Sequence, residues 1–276
     1  MPDTPLPSLR AIMTAHGLDA RKSLGQHFLL DPGITARIAG LAGDLRGRHV
    51  VEIGPGPGGL TRALLETPAE TVHAVEIDQR AWPLLEDLAA YYPHRLHIVQ
   101  ADATRLDATT LSPTPRQIVA NLPYNVGTPL LIGWLRQAAQ WERLTLMFQA
   151  EVGERICAAP DTSAYGRLAV LAQWCAECRL LMKIPPGAFT PPPKVDSVVV
   201  GLIPHAEQPE PALFRTMERI TALAFGQRRK MLRSSLKAAG GEALLERAGI
   251  APTRRAETLS VAEFAQLAAL VREDQA

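Results

Sequence analysis

Along the first 150 residues, apolar and polar positions follow two alternating rhythms. Short apolar runs recur at His49 to Ile53, Thr71 to Ile77, Leu96 to Gln100, Gln117 to Ala120 and Arg143 to Phe148. Each reads as a buried strand, too short for a helix and bounded by turn residues. Helical spacing fills the gaps at Leu60 to Glu66, Gln79 to Ala90 and Pro129 to Ala139. Another helix starts at Asp31-Pro32, an N-cap followed by proline at the first helical position, with Ile34, Ile38 and Leu41 on one face. This alternation predicts an α/β fold, a mostly parallel sheet covered on both faces.

After that the rhythm changes. Glu177 to Lys183 and Val195 to Ile203 read as strands, a hairpin-like edge that ends the sheet. The stretch between them, Pro185 to Pro193, holds five prolines. His205 to Pro211 reads as a linker, and from Ala212 onward only helical patterns remain. The expected division is residues 1–204, a catalytic domain with an N-terminal extension over 1–29, and residues 205–276, a small all-helical domain.

Composition adds little until it is mapped. The 276 residues are 47% hydrophobic, enough for a sizeable core, and the net charge is only +1. From Pro211 onward there are 11 Lys/Arg against 7 Asp/Glu, net +4, while the first 210 residues have 18 against 21, net −3. The basic part is therefore the helical part. Three cysteines, Cys157, Cys175 and Cys178, argue against a disulfide framework and for a reducing compartment. The Cys175-x-x-Cys178 pair lacks obvious metal-ligating partners and reads as ordinary half-buried cysteine. The first ten residues contain no apolar signal segment, and no apolar run approaches the ~20 residues that span a bilayer. A cytoplasmic location, away from membranes, is the expectation.

The chemistry-bearing residues gather at strand ends. Val50-Val51-Glu52-Ile53-Gly54-Pro55-Gly56-Pro57-Gly58-Gly59 runs from a strand through a glycine-rich turn into a helix, and its glycines let backbone approach a ligand. Glu76, 22 residues after Gly54, ends the next strand, where a carboxylate can take both hydroxyls of a ribose. Gly54-x-Gly56-x-x-Gly59 also matches the dinucleotide pattern, which alone is weak. Two acids favour a methyl donor. Glu52 would be unwelcome beside a pyrophosphate but can face the cationic methionine end of S-adenosylmethionine. Asp102, at the end of the third strand, can accept from an adenine amino group.

Beside this lies Asn121-Leu122-Pro123-Tyr124, directly after a buried run. An exocyclic amino nitrogen is a poor nucleophile because its lone pair is delocalised into the ring. The Asn121 side-chain oxygen and the Leu122 carbonyl can each accept from that amino group, positioning it. Pro123 fixes φ and donates nothing, and Tyr124 can stack on a flipped base. Phe189, on the stiff proline-rich stretch, is the candidate second wall. This set predicts an amino-methyltransferase acting on nucleic acid that needs no metal and no general base.

Taken together, the chain resembles the bacterial small-subunit rRNA adenine N6,N6-dimethyltransferase family. The resemblance rests on Lys22-Ser23-Leu24-Gly25-Gln26-His27-Phe28-Leu29, Glu52-Ile53-Gly54-Pro55-Gly56, Glu76-Ile77-Asp78, Asn121-Leu122-Pro123-Tyr124, Tyr165-Gly166-Arg167-Leu168, Phe189 to Ser197, and Phe225-Gly226-Gln227-Arg228-Arg229-Lys230. It covers nearly the whole chain and implies a Rossmann-like class I methyltransferase sheet. It implies S-adenosylmethionine binding by His27, Leu29, Gly54, Glu76, Asp102 and Asn121, with Glu52 and Gly56 nearby. His27 departs from the asparagine often found at that place. The implied reaction puts four methyl groups on two adjacent adenines in the 3′-terminal hairpin loop of 16S rRNA in assembling small ribosomal subunits. A monomer is the expected state.

Arg228, Arg229, Lys230, Arg233 and Lys237 read as one basic helix, Gln227 to Lys237, with positions 229, 233 and 237 on one stripe for phosphate contact. Arg21 and Lys22 add to the same surface. Two other readings compete. One is a resistance methylase acting on large-subunit rRNA. The other is a non-catalytic RNA-binding assembly factor that kept the fold.

Overall fold

In the computed structural model, which describes residues 6–20, 26–227 and 229–274, the predicted strands join one sheet. The chain starts with helix α1 (Leu9–Ala15), a two-residue strand β1 (Phe28–Leu29) and helix α2 (Pro32–Leu41). Next come β2 (His49–Ile53), α3 (Gly59–Leu65), β3 (Thr71–Glu76), α4 (Trp82–Tyr91), β4 (Leu96–Gln100), β5 (Arg116–Asn121), α5 (Gly127–Leu135) and β6 (Arg143–Gln149). Then follow α6 (Ala150–Ile156), α7 (Arg167–Cys175), β7 (Ala176–Ile184), β8 (Phe189–Thr190) and β9 (Ser197–Pro204). Helices α8 (Pro211–Gly226), α9 (Leu232–Ser235), α10 (Gly241–Arg247) and α11 (Val261–Glu273) end the chain.

The sheet order is β4-β3-β2-β5-β6-β9-β7. The pairs β3–β4, β2–β3, β2–β5 and β5–β6 are parallel, and β9 runs antiparallel to β6. Val50, Val51, Ile118 and Val119 at its centre are fully buried, as expected of strands covered on both faces. Strand order reverses between β2 and β5, and the crevice at their carboxyl ends is where such sheets bind ligands. A second, two-stranded antiparallel sheet pairs Phe28 with Thr190 and Leu29 with Phe189. Asp31 caps α2 as its sequence predicts, accepting from the Gly33 and Ile34 N–H groups.

Packing separates two units. One holds the described residues up to Leu131, Gln140–Ala150 and Arg179–Ile203; the other holds Ile132–Ala139, Glu151–Cys178 and the described residues from Pro204. The helical unit thus recruits mid-chain segments, where the pattern alone suggests a single boundary at 204/205. Helix α7, absent from the sequence reading, buries Ala169, Val170, Leu171 and Ala172 in that unit. There, Tyr165 meets Phe225 edge-on at 6.0 Å and Phe225 lies 5.5 Å from Phe264. Glu218 takes Arg136 at 2.9 Å and Arg167 at 3.4 Å. A reciprocal Ser260–Glu263 capping box starts α11.

The expected basic helix is corrected. Helix α8 stops at Gly226, and α9 covers only Leu232–Ser235. The Leu232 and Arg233 N–H groups donate to the Arg254 and Pro252 carbonyls, at 2.8 and 3.1 Å. Those tertiary bonds replace the helical ones that a continuous helix would need, so positions 229, 233 and 237 share no helical stripe.

Candidate active site

The carboxyl ends of β2, β3, β4 and β5 open onto a cavity of about 280 Å³. His27, Leu29, Gly54, Glu76, Asp102 and Asn121 all lie on its wall, as do Glu52, Gly56, Leu122, Pro123 and Tyr124. No lysine or arginine lines it among the described residues. That lining suits a ligand with positive charge and disfavours a pyrophosphate.

Each acid has its own environment. The Glu76 carboxylate accepts from the Gly56 N–H at 3.0 Å and the Asp78 N–H at 2.8 Å. Burial pushes its pKa up, while those two backbone donors pull it back. Each oxygen keeps acceptor capacity for a hydroxyl. Asp102 Oδ1 accepts from the Thr104 hydroxyl at 2.7 Å and its N–H at 2.9 Å, which holds this carboxyl below its usual range. Glu52 is 1% exposed, and its Oε2 has no hydrogen-bond partner among the described residues. Burial, with the Glu76 charge adding to it, pushes Glu52 up to about 8. A buried acid with one oxygen unpartnered, facing a cavity, fits a cationic ligand group such as that of S-adenosylmethionine.

The glycine-rich turn serves the protein's own chain. A Cβ on Gly56, where φ is +54°, would sit 2.9 Å from the Phe28 ring, and one on Gly59 would sit 2.4 Å from the Leu29 carbonyl oxygen. Strand β1 therefore lies on the turn and closes that side of the cavity. Gln26 and Arg80 tie it down through Asp78, with Gln26 Nε2 to Oδ2 at 2.9 Å and Arg80 Nε to Oδ1 at 3.0 Å. The His27 Nδ1–H donates to the Pro191 carbonyl at 2.8 Å, joining β1 to the proline-rich stretch.

Asn121 Nδ2 donates to the His27 carbonyl at 3.3 Å. This orientation leaves Oδ1 as an acceptor at the end of β5, beside the Leu122 carbonyl. Tyr124 is fixed at both ends. Its hydroxyl lies 2.6 Å from Ser197 Oγ, and its ring stacks on His27 with centroids 5.4 Å apart. Burial pushes its phenol up.

Phe189, the expected second wall, packs away from the cavity lining. It is 3% exposed, packs in the core with Leu29, Ile184 and Val199, and does not line the cavity. Pairing with Leu29 in the small sheet turns its ring inward and leaves Thr190 outside. What the proline-rich stretch contributes is the Pro191 carbonyl and the Ser197 hydroxyl. Ile77 is a further candidate site residue, not singled out by the sequence. It is 58% exposed and lines the cavity. The signal for it is an apolar residue between two acids at a strand end.

Of the basic residues, Arg21, Lys22 and Arg228 lie outside the described residues. Arg229, Lys230, Arg233 and Lys237 are exposed in the helical unit. The three thiols are pushed up by burial, Cys157 to about 11 and Cys175 to about 12. Among the described residues, no His, Cys, Asp or Glu group of three or more is placed to hold a metal ion. No helix there is long and apolar enough to cross a membrane.

Comparison with known proteins gives consistent matches. The family model described as ribosomal RNA adenine dimethylase matches residues 17–273. The Gluconobacter oxydans protein named ribosomal RNA small subunit methyltransferase A is 75% identical over 97% of this chain and 88% of its own length. The protein of that name from Paramagnetospirillum magneticum is 59% identical over 95% of this chain and 94% of its own. Among solved structures, a dimethyladenosine transferase from Plasmodium falciparum shares the fold, with a TM-score of 0.77, 24% identity and coverage of 90% of this chain and 98% of that one. The 23S rRNA methyltransferase ErmE superposes with a TM-score of 0.67 at 27% identity, covering 89% of this chain and 99% of that one.

Proposed function

The chain belongs to the ribosomal RNA adenine dimethylase family, and from that membership we infer that it is a 16S rRNA adenine N6,N6-dimethyltransferase dependent on S-adenosylmethionine. It methylates the amino groups of two adjacent adenines in the 3′-terminal hairpin loop during small-subunit biogenesis. The observation that carries this reading is the Asn121 amide. Its nitrogen is engaged by the His27 carbonyl, and its oxygen stays free to accept beside three acids suited to a cationic donor.

Bound in the cavity, S-adenosylmethionine supplies an electrophilic methyl group and leaves as S-adenosylhomocysteine. Glu76 takes the ribose hydroxyls, Asp102 the adenine amino group, Ile77 an apolar ring face and Glu52 the cationic end. Asn121 Oδ1 and the Leu122 carbonyl hold the two N6 hydrogens of the target adenine, so that its lone pair is aimed at the methyl. Tyr124 stacks on the flipped base, held in place by Ser197. The nitrogen gives its lone pair to the new N–C bond, and the cationic product nitrogen then loses one proton to water. A monomethylated adenine has one N–H left and engages one of the two acceptors, so the second transfer needs no second site. Exposed Arg229, Lys230, Arg233 and Lys237 contact RNA phosphates. The enzyme works as a cytoplasmic monomer, and light scattering of the purified protein checks its oligomeric state.

The deciding assay uses labelled donor and undermethylated small subunits, followed by nucleoside analysis. N6,N6-dimethyladenine in 16S rRNA is the expected product. Label confined to large-subunit RNA would replace this reading with that of a large-subunit methylase.

A further inference from the structure

Glu52 differs from the other acids of the cavity. Glu76 has two backbone N–H donors, and Asp102 has Thr104 with Arg105 at 3.7 Å. Glu52 Oε2 has no partner among the described residues. The groups set against Glu52 are Thr61 from α3 and Glu76 from β3, and neither brings positive charge. A carboxylate buried with one oxygen unpartnered loses hydration that the Thr61 hydroxyl repays only in part, and the geometry favours the neutral acid.

We propose that Glu52 holds a proton in the donor-free cavity, releases it when the cationic donor binds, and takes it back once transfer has removed the sulfonium charge. This one carboxyl then sets the preference for donor over product. The inference rests on the cavity being the donor site. The charges follow from the reaction. The S–CH₃ bond breaks with its electron pair left on sulfur, the N–CH₃ bond forms from the nitrogen lone pair, and the amino proton goes to water. The donor carries a net charge of +1 and the product none, so an ionised Glu52 is stabilised by the first and poorly by the second. The protonated product complex lowers the affinity for the product and speeds its departure.

Burial pushes Glu52 up to about 8, so the donor-free acid is largely protonated at pH 7 and largely ionised at pH 9. The test is isothermal titration of the protein with S-adenosylmethionine and with S-adenosylhomocysteine, in pairs of buffers that differ in ionisation enthalpy. Near one proton should be released per donor bound at pH 7, far less at pH 9, and less with the product at either pH. Glu52→Gln should bind donor without that release and should lose about tenfold of the donor-over-product preference, the worth of one pKa unit. The variant also subtracts any titration of the donor's own amino group. Should it fail to fold, the infrared carbonyl band of a protonated carboxyl, present in the free wild-type protein and lost on donor binding, gives the same answer. Donor binding with a buffer-independent enthalpy at pH 7, or a release that survives in Glu52→Gln, overturns the inference. A wild-type protein that binds no donor at all overturns the donor-site reading itself.

Discussion

At Asn121 the direction of one amide decides what the site can do. The nitrogen is taken by the His27 carbonyl, so the oxygen is left as the acceptor. Asn121→Ala should therefore lower single-turnover methyl transfer by about 100-fold or more, the usual loss when a polar group aligned with the reacting centre is removed. Filter binding of small subunits should persist, and its loss would mean that Asn121 acts in binding. The Tyr124–Ser197 bond gives a second test. Removing either partner forfeits about 1 kcal/mol, so Tyr124→Phe and Ser197→Ala should each lower kcat/KM about fivefold. The double variant should be no worse than either single one, because both delete the same bond. Glu52 also makes stability depend on pH. Its folded pKa lies above its ordinary 4.5, so the fold binds the extra proton and loses stability as pH rises towards about 8. Half-buried His73 is pushed the other way, from 6.5 to about 4, and opposes this trend only below pH 6.5. The Tm of the donor-free protein should fall between pH 6.5 and 8, and Glu52→Gln should flatten that fall.

Among the elements, strand β1 is the one the site depends on and the one least visible in the pattern. Two residues make no periodicity, and their partners Phe189 and Thr190 stand far down the chain in β8. Its seat on the glycine-rich turn is testable. Gly59→Ala would force a methyl against the Leu29 carbonyl, now 2.4 Å from that position, and should cost about 1–3 kcal/mol and weaken donor binding. Gly40→Ala is the contrast. Gly40 is exposed on α2 with open space around it, so the change should stabilise by up to about 1 kcal/mol and leave donor affinity unchanged. Thermal melts with donor titrations separate the two. The long parallel strands are legible because burial on both faces forces continuous apolar runs. The basic helix is not what local spacing implies, because Leu232 and Arg233 bond to Arg254 and Pro252, and spacing carries no record of such bonds.

Across the chain, the acidic side chains of the cavity and the basic ones from Arg229 to Lys237 fall in different units. The cavity is lined by Glu52, Glu76 and Asp102, while exposed cations stand in the helical unit. Changing Arg233 and Lys237 together to alanine should weaken subunit binding. It should also lower the slope of log K against log salt by about 0.7–0.9 for each phosphate that the variant no longer neutralises. Donor affinity should stay at the wild-type value, because neither residue touches the cavity. An unchanged salt slope would remove these two residues from the RNA surface.

The strand–helix alternation, the acids at the strand ends and the Asn121 to Tyr124 segment are legible in the chain alone. These depend on local spacing and on side-chain chemistry, which survive in one dimension. Folding places Phe189 in the core, rests β1 on the glycine-rich turn, and joins nearly all of α6, with α7, to the helical unit. It also leaves the Glu52 Oε2 without a partner among the described residues, since an unpaired atom is defined by everything that folds around it. Burial and pairing are set by distant segments meeting, which spacing along the chain does not record.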